Sequence, residues 1–204
     1  MANFVKRLIS IGLAIGCLTT CIGAANVESV DPTADKTELY LDYPEFYANQ
    51  QYYKDLARTE NYRLIIHVGE EYAELEEARI AEESTTVNQL VENPKTRGAN
   101  PPTREWNILD NGTYNFEGIA DYSPVYTNYY ITGWTSYEVS VYNNWDKYTA
   151  IGFAYNVRGA NGARSFVCLP ESTVIEYFPA NSTSHFYLSF DEPADVEGYI
   201  AMDY

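Results

Sequence analysis

Beyond Arg104 the chain becomes a succession of short β-branched and aromatic runs separated by turn residues, and this density constrains the fold more than any other feature. The runs are Thr113 to Phe116, Val125 to Ile131, Thr135 to Tyr142, Tyr148 to Val157, Ser165 to Leu169, Thr173 to Phe178, His185 to Phe190 and Gly198 to Met202. About eight such segments in roughly a hundred residues is the spacing of an antiparallel β-sandwich, jelly-roll or immunoglobulin-like. Alternation gives the runs two faces. Tyr137, Val139 and Val141 oppose Glu138, Ser140 and Tyr142, while Phe186, Leu188 and Phe190 oppose Tyr187 and Ser189, so one face of each strand is expected to be buried. Asn143-Asn144, Gly159-Ala160-Asn161-Gly162 and Pro179-Ala180-Asn181-Ser182 supply turn chemistry between them.

The first half has a different period. Residues 45–92 read as helical: Ile65, Val68, Tyr72 and Leu75 recur at three and four residues, with Glu70, Glu71, Glu74, Glu76 and Glu77 on the other faces. Ser84-Thr85-Thr86 is poor helix and marks a break. Residues 26–44 read as an extended tether. Residues 93–104 carry Asn93-Pro94 and Asn100-Pro101-Pro102 and read as a linker. The β-sandwich then occupies residues 105–204.

Residues 1–25 read as an export signal. Lys6 and Arg7 form a basic start, Leu8 to Leu18 an apolar run, and Gly23-Ala24-Ala25 a cleavage region. Cys17 and Cys21 each follow a short stretch that partly fits a lipoprotein cleavage box, so two readings stand: lipidation at Cys21 or Cys17, or cleavage after Ala24 or Ala25. Both place the chain outside the cytoplasm, at the cell surface or free. The membrane then enters only through a lipid anchor, because nothing downstream reaches the 18 or so apolar residues of a span. Beyond the leader only Cys168 remains, so the core must be hydrophobic rather than cross-linked. Losing Lys6 and Arg7 takes the formal charge from −16 to −18, which disfavours nucleic acid and anionic lipid as partners.

Tyr129-Tyr130-Ile131-Thr132-Gly133 with Tyr137 to Asn143, then Phe178-Pro179-Ala180-Asn181-Ser182-Thr183 and Leu188-Ser189-Phe190 with Pro193-Ala194-Asp195, resemble small C-terminal β-sandwich domains of secreted Gram-positive bacterial proteins. The resemblance covers the last half of the chain. It implies fold and compartment, and it carries no catalytic residues with it.

For chemistry, Cys168, His185 and Asp191 provide the residue types of a thiol triad. Yet Cys168 keeps step with Phe166 on an alternating strand, which is the phase of a buried, inert thiol. His67 and His185 are the only histidines and show no zinc spacing. Asp191, Glu192 and Asp195 crowd a terminal turn and could hold calcium, as could Asp110-Asn111-Gly112, though neither array is a complete ligand set, and solvated turn carboxylates are the plainer reading. No other cofactor is called for. No pair of carboxylates stands out for glycoside hydrolysis.

Tyrosine is abundant, at 20 residues against 8 Phe and 3 Trp. Tyr129, Tyr130, Trp134 and Trp145 with Asn144 could stack on pyranose rings and bond their hydroxyls. The expectation is therefore an exported, non-catalytic bacterial protein that binds an extracellular glycan or an envelope protein. A small extracellular hydrolase is the more distant alternative.

Overall fold

A computed structural model describes residues 36–85, 100–157, 160–181 and 183–204. The expected leader with Cys17 and Cys21, the tether up to residue 35, the end of the helical stretch at 86–92 and the linker segment 93–99 lie outside the described residues.

The protein is mainly β. In chain order the elements are β1 (Thr37–Asp42), α1 (Tyr43–Ala48), α2 (Gln50–Glu60), β2 (Tyr62–His67), a 3-10 turn (Glu70–Tyr72), α3 (Ala73–Thr85), β3 (Glu105–Asn107), α4 (Ile108–Asn111), β4 (Tyr114–Ala120), β5 (Val125–Tyr126) and β6 (Tyr130–Thr132). They continue with β7 (Ser136–Asn143), β8 (Thr149–Val157), β9 (Ala160–Cys168), β10 (Ser172–Pro179), β11 (His185–Phe190) and β12 (Ala194–Met202). Sheet A has the order β1-β2-β10-β7-β12-β4, and sheet B the order β3-β6-β11-β8-β9, with β5 also on β11.

The two sheets stack in a sandwich-like arrangement around one apolar core. Val139, Val141, Val174, Phe178, Val196 and Ile200 of sheet A meet Ile151, Phe153, Phe166, Phe186, Leu188 and Phe190 of sheet B. Phe153 and Phe186 stack at 4.8 Å. All eight runs read from the sequence are strands. The run Val125 to Ile131 is divided at Thr127, whose hydroxyl donates to the Tyr129 carbonyl at 3.0 Å.

The sheets are mixed rather than purely antiparallel, because β1 pairs parallel with β2 and β3 parallel with β6. Parallel neighbours need a crossover, and α1 and α2 supply it between β1 and β2. Two boundaries move as a result. β1 lies inside the stretch expected to be a tether: Leu39 and Leu41 alternate with Glu38, Tyr40 and Asp42, and Leu41 is buried. Tyr62–His67, expected to be helical, is a strand that bonds to β10. Its Leu64-Ile65-Ile66 run is buried on both faces, and a fully buried strand has no period to separate it from a helix. Asn61, left-handed at φ 57°, ends α2 and frees the chain to enter β2.

Helices α1, α2 and α3 are a third layer on the outer face of sheet A. Phe46, Ala57 and Ile80 form a second core there with Leu64, Ile66, Tyr142, Ile175 and Tyr199. The inner strands β2, β10 and β7 are therefore buried on both sides, and β7 is covered almost along its whole length.

Charges as well as apolar groups seal this layer. Lys54 Nζ of α2 sits 2.7 Å from Glu138 Oε1 of β7, and Glu138 accepts from Tyr199 at 2.6 Å and Tyr177 at 2.9 Å. Burial alone would raise the Glu138 carboxyl, but the Lys54 ammonium and these hydroxyls more than offset it and hold it below the usual carboxylate range. On α3 it is not an apolar stripe but Glu76 and Arg79, with Ile80, that face the sheet. They pair at 2.6 Å, Thr173 donates to Glu76 at 2.5 Å, and Arg79 donates to Ser140 and Tyr199 at 3.3 Å. Leu75, expected on the apolar stripe, is 51% exposed.

Candidate functional site

The outer face of sheet B is not covered by the helices, and the register of β11, β8 and β9 arranges it in rows. His185 lies opposite Asn156, and Asn156 opposite Asn161; Tyr187 lies opposite Ala154 and Ala154 opposite Ala163; Ser189 lies opposite Gly152 and Gly152 opposite Ser165. Tyr126 of β5 lies opposite Ser189 on the other flank of β11. The alternation that buries Phe186, Leu188 and Phe190 turns His185, Tyr187 and Ser189 outward.

One flank of the face is therefore aromatic and the other small and polar. Tyr126 meets Tyr187 edge-on with ring centroids 6.1 Å apart, and Tyr130 meets His185 at 5.6 Å. Asn156 donates its amide to Asn161 Oδ1 at 2.8 Å. Between the flanks is a shallow depression of about 230 Å³ lined by Ala154, Tyr155, Asn161, Gly162, His185 and Tyr187. A glycine keeps this region low: a Cβ on Gly152 would come within 2.2 Å of Ser189 Oγ. The floor can accept a flat ring, with tyrosine and imidazole rings along one side and amide and hydroxyl groups along the other.

Of the five aromatic and amide residues singled out from the sequence, only Tyr130 lies on this face. Tyr129, one residue on, turns inward onto Trp106 and Tyr114, and Arg104 lies over its ring at 4.8 Å. Trp134 pins the C-terminal residues, its Nε1 donating to the Asp203 carbonyl at 2.9 Å and its ring resting on Tyr204. Trp145 and Asn144 are at the far end of β7, where the Asn144 backbone N–H donates to the Asp195 carbonyl at 2.8 Å. At about 3.3 Å per residue the eight residues of β7 set the two tryptophans at opposite ends of the sheet, roughly 25 Å apart. They do not form one platform. Tyr187, Asn156 and Asn161 join Tyr126 and Tyr130 here through strand pairing, which composition does not show.

The thiol triad is not assembled. Cys168 pairs with Thr149 at one end of β8 while His185 pairs with Asn156 at the other, on the opposite face. The Cys168 thiol is buried, donates to the Ser172 carbonyl at 3.3 Å, and is pushed up to about 12 by burial. The carboxylates that could have held calcium do not converge either. Asp191 and Glu192 are exposed and Asp195 lies on β12. Among the described residues no three ligating side chains are gathered for a metal ion. Asp110 lies in the capped turn of α4, accepting from the Asn107 amide at 2.7 Å.

Comparison with protein-family models, with curated proteins and with solved structures finds no match for this chain.

Proposed function

We propose that this chain is an exported, non-catalytic bacterial binding protein that holds an extracellular glycan on the outer face of sheet B. The observation that carries the reading is the juxtaposition of Tyr126, Tyr130, Tyr187 and His185 with the Asn156–Asn161 amide pair around one depression. Sugar rings present apolar C–H faces to such rings and hydroxyls to such amides. Export is supported by the leader pattern of residues 4–25, and surface attachment by Cys17 or Cys21. A jelly-roll or immunoglobulin-like antiparallel sandwich is supported by the stacking of the two sheets around one core, with the parallel pairs β1–β2 and β3–β6 confined to sheet edges.

The test is affinity electrophoresis and calorimetry of the intact protein against envelope and plant polysaccharides. A ligand is expected whose affinity falls about thirty-fold in Tyr187→Ala, the loss of a central aromatic contact worth about 2 kcal/mol. Trp145→Phe is expected to leave it unchanged. Retention that is the same in Tyr187→Ala, or absent on every polysaccharide, would overturn the reading.

A further inference from the structure

The outer face of sheet B differs from the rest of this acidic molecule in its lack of charge. Its three rows, from His185–Asn156–Asn161 to Ser189–Gly152–Ser165, hold nine outward positions and not one lysine, arginine, aspartate or glutamate. An ordinary protein surface would place about two or three charges among nine positions, and charged residues make up 21% of this chain. Arg164, the one charged residue of the three strands, turns inward to pair with Glu176. Among the described residues charge returns at the margins of the face. Glu105 of the edge strand β3 lies beside Tyr130 and accepts from the Thr132 hydroxyl at 2.5 Å, and Asp191 follows the end of β11.

This composition separates ligand classes. A phosphate- or uronate-bearing polymer finds no cation in the rows and approaches a chain of net charge −16. A polycation finds no carboxylate in them. A neutral sugar needs neither, since ring faces and hydrogen-bonding side chains suffice to hold it, and the rows present both.

The rings also come in two steps. His185 and Tyr187 are two residues apart on β11, so the Tyr130–His185 and Tyr126–Tyr187 pairs follow one another by about 7 Å along the strand. Each pair can carry its own sugar ring. Past them the Ser189–Gly152–Ser165 row continues the floor with small side chains and raises no wall.

We infer that this face holds a neutral glycan chain laid along β11, with successive units at the Tyr130–His185 and Tyr126–Tyr187 pairs, rather than a single sugar or a charged polymer. The inference rests on the glycan reading and adds to it the charge, the length and the direction of the ligand.

The experiment is calorimetry of the intact protein with linear oligosaccharides from the single unit to the pentamer. The neutral series are of glucose, xylose, mannose and N-acetylglucosamine, set beside an anionic galacturonate series and a cationic glucosamine series. A neutral series is expected to bind about tenfold tighter as the tetramer than as the monosaccharide, with the same affinity at low and high salt. The galacturonate and glucosamine tetramers are expected to bind about tenfold more weakly or worse. Tyr126→Ala and Tyr130→Ala should each weaken the neutral tetramer about tenfold and flatten the rise with length. Binding that does not rise with length, that falls with added salt, that favours a charged series, or that is unchanged in either variant would overturn this inference while leaving a glycan ligand in place. Binding of no saccharide at all would remove the glycan reading with it.

Discussion

Breaking the Lys54–Glu138 pair should cost far more than the pair itself contributes. Both side chains are about 10% exposed and 2.7 Å apart, and at an effective dielectric near 20 their attraction is about 6 kcal/mol. Desolvating two ions costs several kcal/mol each, so the net contribution of the intact pair is small. Lys54→Met strands a buried carboxylate with only the Tyr177 and Tyr199 hydroxyls, and should destabilise by about 4 kcal/mol. Glu138→Gln keeps an acceptor for those hydroxyls and leaves Lys54 the half-exposed Glu83 at 3.1 Å, so about 3 kcal/mol is expected. With both charges gone there is no stranded ion. The double variant should therefore lose less than either single variant, about 1 kcal/mol rather than the additive 7. Urea unfolding of the four proteins at pH 7, followed by far-ultraviolet circular dichroism, measures this cycle. Because the Glu138 carboxyl is depressed in the folded state, its contribution is complete above the ordinary carboxylate range and is lost as pH falls through the folded value. Single variants that each lose under 1 kcal/mol, or losses that simply add, would refute the buried-network argument.

Three further outcomes follow from other sites. Glu197 lies directly opposite Glu117 and is raised to about 7 by burial, then by Glu77, Glu76, Glu117 and Asp195. The folded state thus binds a proton the unfolded state releases, and stability falls as pH rises through 7; Glu197→Gln should gain about 1 kcal/mol at pH 8, discounted for its partial exposure, and nothing below about pH 5, and an equal gain at both pH values in parallel urea melts would refute this. Cys168 should resist iodoacetamide in the native protein and label fully in urea, read by mass; rapid native labelling would contradict its burial. A truncation starting at Arg104 removes β1, β2 and the helices, uncovering Tyr142, Ile175, Tyr177 and Tyr199, and should aggregate or bind ANS. A monomer with the full-length melting temperature would show that the helical layer is dispensable.

How much of this was legible in the sequence depends on whether a segment is buried on one face or two. Runs such as His185–Phe190 bury one face, so their alternation is visible and the strands are readily found. β2 buries Leu64, Ile65 and Ile66 at once, and its neighbours Val68 and Tyr72 happen to complete a helical spacing. α3 misleads in the opposite way, since it faces the sheet with Glu76 and Arg79, residues that composition assigns to solvent. The candidate site was only partly legible. Tyr187 and Asn156 are readable as outward-facing, but that β11 lies beside β8 and β5 is a long-range pairing no local pattern encodes. Trp134 and Trp145 stand at strand ends next to turns, where partial exposure is expected, and each is half-buried at its own end of the sheet.

The double burial of β7 has a consequence for how the chain can change over time. Its odd-numbered residues from Tyr137 to Asn143 point into the apolar space between the sheets, and its even-numbered ones into the ion-paired layer under the helices. Exchanging one side chain disturbs one of those spaces. Deleting or inserting a single residue would exchange the two sets wholesale, driving Glu138 among phenylalanines and Val139 among charges. Lineages carrying this architecture can therefore drift in the composition of β7 but not in its length, and length variation should collect instead in the turns on either side of it.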